Sequence, residues 1–142
     1  MTGQRVLGLD PGTKRIGVAL SDALGIIAQP HSVIDVEQAE PAEVVRNLVA
    51  EHDVSLVVIG LPVSLSGDEG PSAVAVRAFA GDLARDVGCE VELMDERFTT
   101  VIAEQALLEG RVRRSGRREA RDKVAAAVML QGYLDRRRQG SS

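Results

Sequence analysis

Three acidic residues stand where a protein could place them around a metal ion. Asp10 ends the apolar run RVLGLD, Glu96 follows the strand-like run EVELMD, and Asp122 precedes a helical stripe of apolar residues. Carboxylates that are crowded together resist ionisation unless a cation lies between them. Oxygen ligands of this kind suit Mg²⁺ or Mn²⁺, and two such ions can activate a water and stabilise the leaving oxygen of a phosphodiester. These residues therefore predict a site for two divalent ions.

Two of these assignments have alternatives. Asp95 is the rival ligand next to Glu96, but successive side chains of a strand point to opposite faces, so the two acids should not face the same site. Asp122 has a structural explanation as well, because an acid is favoured near a helix N-terminus and could form an ion pair with Arg118 or Arg121. No cluster of Cys and His offers a zinc site.

The charge distribution points to a polyanionic partner. The net charge of −4 is the sum of −11 over residues 1–110 and +7 over residues 111–142. Basic residues clustered at one end of a chain typically contact phosphates, although a solvated basic helix would have the same composition. The predicted substrate-binding residues are Lys14, Arg97, Arg113, Arg114, Arg117 and Arg118.

The elements that must position these residues alternate between strand and helix. Apolar runs over 5–10, 15–22 and 27–34, joined by short turns, predict three antiparallel strands, with Pro30 suited to an edge. Helical periodicity and continuous apolar runs then predict, in order, a helix over 40–53, a strand over 55–60, a helix over 71–88, a strand over 90–96 and helices over 99–110 and 119–138. The fold class is α/β, with a mixed five-stranded sheet and helices on both faces. Acids that end parallel strands then meet at one sheet edge.

Length and composition bound the remaining possibilities. The chain has 142 residues and a single cysteine, Cys89, which excludes an internal disulfide. We expect one domain over 1–142, with no membrane partner, because the apolar run over 56–63 is too short to span a bilayer. The absence of a secretory segment after Met1 predicts a cytoplasmic protein.

Four motifs together resemble the YqgF/RuvX family. They are GLDPGTKRIGVA at 8–19, GLP at 60–62 with Gly67 behind it, DERFTT at 95–100 and DKVAAAVMLQGYL at 122–134. The motifs stand in the family's order and at suitable spacing over nearly the whole chain.

The resemblance implies an RNase H-like fold and an Mg²⁺- or Mn²⁺-dependent endonuclease, a hydrolase acting on ester bonds. Members of the family are described as the nuclease that processes the 5′ end of pre-16S ribosomal RNA in ribosome biogenesis, and as candidate Holliday junction resolvases. The family's catalytic acidic triad corresponds to Asp10, Glu96 and Asp122.

Several alternatives stay open at the level of sequence. GLDPGT also resembles the first phosphate loop of actin-like and sugar-kinase-like ATPases, but those proteins use two such domains and a second Gly-rich loop. A catalytically silent nucleic-acid-binding module is disfavoured because carboxylates beside phosphates would weaken binding. No motif distinguishes structured RNA from branched DNA, or a monomer from a homodimer.

Overall fold

The computed structural model of the protein describes residues 4–12, 14–62, 70–95 and 118–140. The first strands and helix follow the predicted order with small differences at their ends, and the predicted helix over 99–110 lies outside the described residues. The elements are β1 (Val6–Pro11), β2 (Arg15–Ser21), β3 (Ala28–Asp35), α1 (Pro41–His52), β4 (Leu56–Leu61), α2 (Pro71–Asp86), β5 (Glu90–Asp95) and α3 (Arg118–Gly140).

The five strands form one mixed sheet in the order β3-β2-β1-β4-β5. β1 pairs antiparallel with β2 and parallel with β4, while β2–β3 is antiparallel and β4–β5 is parallel. This mixed five-stranded sheet confirms the predicted fold class. The short turns between the first three strands allow only antiparallel pairing, whereas the parallel strands β4 and β5 are reached through helical crossovers. β1 and β4 are central, which explains why their apolar runs are continuous.

Alternation along the strands separates the core into two layers. On one face, β1 contributes Leu7 and Leu9 to a core that α1 and α2 cover. On the other face, Val6 of β1 and Val58 of β4 pack against α3, whose buried residues include Leu130. Even-numbered residues of β1 therefore point toward α3, and odd-numbered residues point toward α1 and α2.

Proline begins two of the helices, as the sequence predicts. Pro41 and Pro71 occupy the first turns of α1 and α2, where the missing N–H costs no hydrogen bond. α2 is followed by Gly88, whose φ of 86° lies in the left-handed region that favours glycine. None of the helices in the described part of the chain is long and apolar enough to cross a membrane.

A bulge on edge strand β3 brings together two histidines that are far apart in the sequence. The register shifts between Val18 and Ala19 of β2, so that His31 is the extra residue on β3. Its ring packs edge-on against His52 at the end of α1, with ring centroids 5.2 Å apart. Partial desolvation of the ring, and then the neighbouring His52, hold the pKa of His31 below its ordinary value of 6.5, although the residue as a whole is exposed.

Candidate active site

Asp10 lies near the end of β1, on the face of the sheet that α3 covers. It pairs across the ladder with Gly17 of β2 and is half-buried. Partners in a ladder project to the same side of the sheet, and position 17 faces α3. The Asp10 side chain is therefore directed to the side from which α3 approaches.

Asp122 reaches the same place from the first turns of α3. A Cβ atom on Gly17 would overlap the backbone carbonyl oxygen of Asp122 and would also come within 3.3 Å of the Ala126 Cβ. The helix can approach the strand this closely only because residue 17 has no side chain. Two of the three predicted metal ligands, Asp10 and Asp122, are thus brought to one edge of the sheet on the same face.

Arg15 pairs directly with Asp122. Its Nε donates a hydrogen bond to Oδ2 of Asp122 at 2.8 Å, although 107 residues separate the two in sequence. Both side chains are partly buried, with exposed fractions of 25% for Arg15 and 33% for Asp122. The structural explanation of Asp122 predicts an ion pair with Arg118 or Arg121, whereas the ion pair seen in the described part of the chain is with Arg15. The side chain of Arg118 lies outside the described residues.

Arg15 is not among the site residues that the sequence predicts. A signal was present, because period-two alternation places Arg15 on the same face as Gly17, next to the residue that faces the helix. What the sequence could not show was which helix crosses β2 at that point.

Of the other predicted site residues, only Lys14 is fully described by the structure. Lys14 is exposed in the turn between β1 and β2, and its carbonyl oxygen accepts a hydrogen bond from the Val36 N–H at 3.1 Å. Predicted residues outside the described ones are Glu96, Arg97, Arg113, Arg114 and Arg117, and for Arg118 only the backbone at the start of α3 is described.

The structure also places Asp95 on the other face of the sheet. Asp95 pairs with Leu61, which belongs to the core beneath α1 and α2, so Asp95 faces away from Asp10 and Asp122. The choice of Glu96 over Asp95 as a ligand stays a prediction. Within 4–12, 14–62, 70–95 and 118–140, no three His, Cys, Asp or Glu side chains group as metal ligands. The predicted third ligand, Glu96, is not among those residues.

Basic residues flank the two carboxylates. Arg121 is exposed and Lys123 is half-buried, and the two stand on either side of Asp122 in α3. Lys14 follows Asp10 along the chain and is exposed in the turn between β1 and β2. Such an arrangement suits a substrate whose phosphates lie on either side of a reacting bond.

Farther along α3, a second polar contact joins the helix to the sheet. The Tyr133 hydroxyl donates a hydrogen bond to the Glu92 carboxylate of β5 at 3.0 Å, and Arg137 lies 5.5 Å from the centre of the Tyr133 ring. Burial, followed by the hydrogen bond to Glu92, raises the pKa of Tyr133. This contact fixes the middle of α3, while Gly17 and Arg15 fix its beginning.

Comparison with known proteins places the chain in a family. Residues 4–136 match the family model described as "RuvX: Holliday junction resolvase". Curated relatives from Halalkalibacterium halodurans and Myxococcus xanthus are each 47% identical over 135 residues, covering 93% and 94% of this chain and 96% and 89% of the relatives. A relative from Moorella thermoacetica is 49% identical over 133 residues, covering 93% of this chain and 95% of its own length. All three are named as candidate pre-16S rRNA nucleases.

Two solved structures have the same fold as this chain. The chain superposes on Thermus thermophilus RuvC in complex with a Holliday junction substrate with a TM-score of 0.62 and 14% identity, covering 98% of both chains. A second Thermus thermophilus RuvC structure gives a TM-score of 0.57 at 17% identity, covering 96% of this chain and 97% of that one. The fold is RNase H-like, as the resemblance implied. Because the family model matches residues 4–136 and curated relatives are 47–49% identical, the chain belongs to the RuvX family.

Proposed function

We propose that this protein is a single-domain, cytoplasmic endonuclease that hydrolyses a phosphodiester bond near the 5′ end of pre-16S ribosomal RNA. The observation that carries the proposal is the convergence of Asp10 and Asp122 on one face at the end of β1, held there by the contact between Gly17 and α3. The names of the relatives at 47–49% identity supply the substrate. Family membership favours this function over the actin-like or sugar-kinase-like ATPase.

The chemistry of the donors fits a hard divalent cation. Asp10 and Asp122 offer carboxylate oxygens from a strand and a helix, which are rigid supports. Glu96 is the proposed third ligand, on the basis of the family's acidic triad. Mg²⁺ or Mn²⁺ bound there, as one ion or two, would supply an activated water and stabilise the leaving oxygen.

The chain's own basic residues would bind and orient the substrate. Lys14 lies in the turn after β1, and Arg121 and Lys123 are the sequence neighbours of Asp122 on α3. The basic segment over 111–118 ends at the first residue of α3. Cations on both sides of the carboxylates would hold phosphates that flank the reacting bond and offset the repulsion between phosphate and carboxylate. Arg97 and the arginines at 113, 114, 117 and 118 remain proposed substrate contacts.

A four-way DNA junction is the second candidate substrate. The description of the matching family model favours it, since that model is named for Holliday junction resolution. The two substrates differ in shape and in the 2′-hydroxyl groups that only RNA presents. A junction that is cut symmetrically would call for a two-fold dimer, whereas processing of one RNA end needs only a monomer.

Parallel cleavage assays test the proposal. Purified protein is given an RNA that spans the 5′ processing site of pre-16S rRNA and, separately, a four-way DNA junction, each with Mg²⁺, Mn²⁺ or EDTA. We expect specific cleavage of the RNA with either metal, none with EDTA, and none by Asp10→Asn or Asp122→Asn. Preferential cutting of the junction would assign the second substrate, and cutting in EDTA would reject the metal site.

A further inference from the structure

Arg15 and Asp122 meet at the point where α3 is held most tightly against the sheet. Arg15 and Gly17 are two residues apart on β2 and therefore project to the same face. Gly17 receives the backbone of Asp122, and Arg15 receives its side chain through the Nε to Oδ2 bond of 2.8 Å. One strand thus fixes both the main chain and the carboxylate of the same residue.

With the backbone fixed, the remaining freedom of Asp122 is the rotation of its carboxylate. A carboxylate has two oxygens that accept hydrogen bonds, and a guanidinium donates in a rigid planar geometry. Because Arg15 engages Oδ2 and is itself partly buried, it restricts the rotamers that Asp122 can adopt. The other oxygen, Oδ1, is then presented in a defined direction at the sheet edge.

We propose that Arg15 is a positioning residue that holds Asp122 by Oδ2 so that Oδ1 can bind the divalent cation shared with Asp10. The inference rests on the proposed function, because it assigns to Asp122 the role of a ligand. Residues that orient metal ligands typically contribute about 10- to 100-fold to metal affinity or activity. Arg15 also offsets the repulsion between the Asp10 and Asp122 carboxylates before the metal binds.

Two other roles for Arg15 predict different results. If Arg15 were a phosphate contact, its loss would raise the KM for substrate and lower the salt dependence of binding, with kcat preserved. If Arg15 were a cation that competes with the metal for Asp122, its loss would strengthen metal binding. A positioning residue should instead leave KM unchanged, weaken metal binding and lower kcat.

The experiment compares Arg15→Met and Arg15→Lys with the wild type and with Arg46→Met. Arg46 provides a matched control, because it also forms an ion pair, with Asp86 at 3.2 Å, but on the helices that cover the opposite face. Mn²⁺ alone is titrated into each protein by isothermal calorimetry, and kcat and KM are then measured with the RNA substrate. Melting temperatures show that each variant is folded, and Arg15→Lys keeps the charge should Arg15→Met fail to fold.

We expect Arg15→Met to weaken Mn²⁺ binding and to lower kcat by about 10- to 100-fold at constant KM. Arg15→Lys should recover part of both losses, and Arg46→Met should change neither. Tighter Mn²⁺ binding, or a raised KM at constant kcat, would overturn the positioning role. Asp122→Asn separates the two hypotheses: if it abolishes Mn²⁺ binding while Arg15→Met binds normally, only the role of Arg15 is rejected. Normal binding by Asp122→Asn would reject the proposed site itself.

Discussion

The two faces of the sheet meet their helices in different ways. Beneath α1 and α2 the strands present bulky side chains, such as Leu7, Leu9 and Ile59, and Leu83 of α2 is fully buried among them. Beneath α3, strand positions include Gly8 and Gly17, and a Cβ on Gly8 would lie 3.0 Å from the Cβ of Leu130. One helix layer stands away from the sheet on large side chains, while the other approaches the backbone itself.

This difference suggests that the face under α1 and α2 mainly stabilises the fold, whereas the face under α3 holds the proposed site. Burying a large aliphatic side chain contributes about 1.5–3 kcal/mol, so the face under α1 and α2 is well suited to stabilise the fold. The α3 face gives up side-chain volume at Gly8 and Gly17, and in return Asp122 is held with little freedom beside the end of β1. The proposed role of Asp122 as a metal ligand would need that restriction, because small errors in geometry weaken metal binding.

The largest expected effect is the loss of a proposed ligand on the α3 side. Asp10→Asn, Glu96→Gln and Asp122→Asn are nearly isosteric and remove the charge that would hold the metal, so each should lower the cleavage rate by at least about 10³-fold. Double mutants should be little worse than single ones, because the residues act as a unit. Circular dichroism should show that folding survives.

Asp95→Asn supplies the matched control for these variants. Asp95 lies on the opposite face, paired with Leu61, so its substitution should reduce cleavage far less than Glu96→Gln does. A wild-type rate for Asp122→Asn would mean that α3 provides no ligand. The division of roles between the two faces would then be wrong.

A second prediction compares one substitution on each face of the sheet. Leu83→Ala, under α2, should lower the free energy of unfolding by about 2–5 kcal/mol but leave Mn²⁺ affinity and kcat unchanged at temperatures where the protein is folded. Gly17→Ala should cost about 1–3 kcal/mol through overpacking. It should also weaken Mn²⁺ binding, because the added Cβ displaces the backbone of Asp122.

Urea denaturation and Mn²⁺ calorimetry on the two variants check this comparison. Equal effects of both substitutions on Mn²⁺ binding would show that the α3 face is not specialised. If Gly17→Ala lost stability but kept its metal affinity, the close approach at residue 17 would serve packing alone.

The sequence predicts most of the fold because its signals are local. Apolar runs bounded by turn residues identify the strands, and the short connections between the first three require antiparallel pairing. Pro30 correctly indicated an edge strand, since β3 lies at the border of the sheet. The bulge at His31 escaped prediction because one extra residue leaves the apolar pattern almost unchanged, and with it the contact between His31 and His52.

The site could be predicted only in part. Strand ends and a helical stripe select Asp10 and Asp122, because each acid interrupts or borders an apolar pattern. The structure brings the two acids to one face of the sheet, and their role as metal ligands stays a prediction. Arg15 was missed because its partner lies 107 residues away and the crossing of α3 over β2 leaves no local signal. A glycine at position 17 permits close backbone approach, but the sequence does not show that the backbone that approaches is that of α3.

The third prediction concerns the basic segment that leads into α3. Changing Arg113, Arg114, Arg117 and Arg118 to Ala should weaken RNA binding and flatten the dependence of log K on log salt by about 0.7–0.9 for each phosphate contact that is lost. The control is the double variant Arg77→Ala and Arg85→Ala. Both arginines are exposed on α2, the helix that covers the face of the sheet opposite to α3. Filter binding at several salt concentrations measures both slopes, and equal slopes would mean that the segment is only a solvated surface.

The smallest expected effect is a pH dependence of stability at the bulge on β3. Burial, and then the neighbouring His52, holds the pKa of His31 below 6.5, so the unfolded chain binds a proton more readily than the folded one. Stability should therefore decrease as the pH falls below about 6.5 and level off below the folded-state pKa of His31.

His31→Asn keeps a polar atom near the Ser32 hydroxyl, which lies 2.8 Å from Nδ1 of His31, and should remove part of this slope. Melting temperatures of both proteins between about pH 5 and 8, with EDTA present so that metal binding does not contribute, measure the effect. Because the hydrogen bond and ring contact of His31 are with Ser32 and His52, and not with Asp10 or Asp122, the substitution should leave Mn²⁺ affinity at pH 8 unchanged. Parallel pH profiles for the wild type and His31→Asn would show that the slope arises elsewhere in the protein.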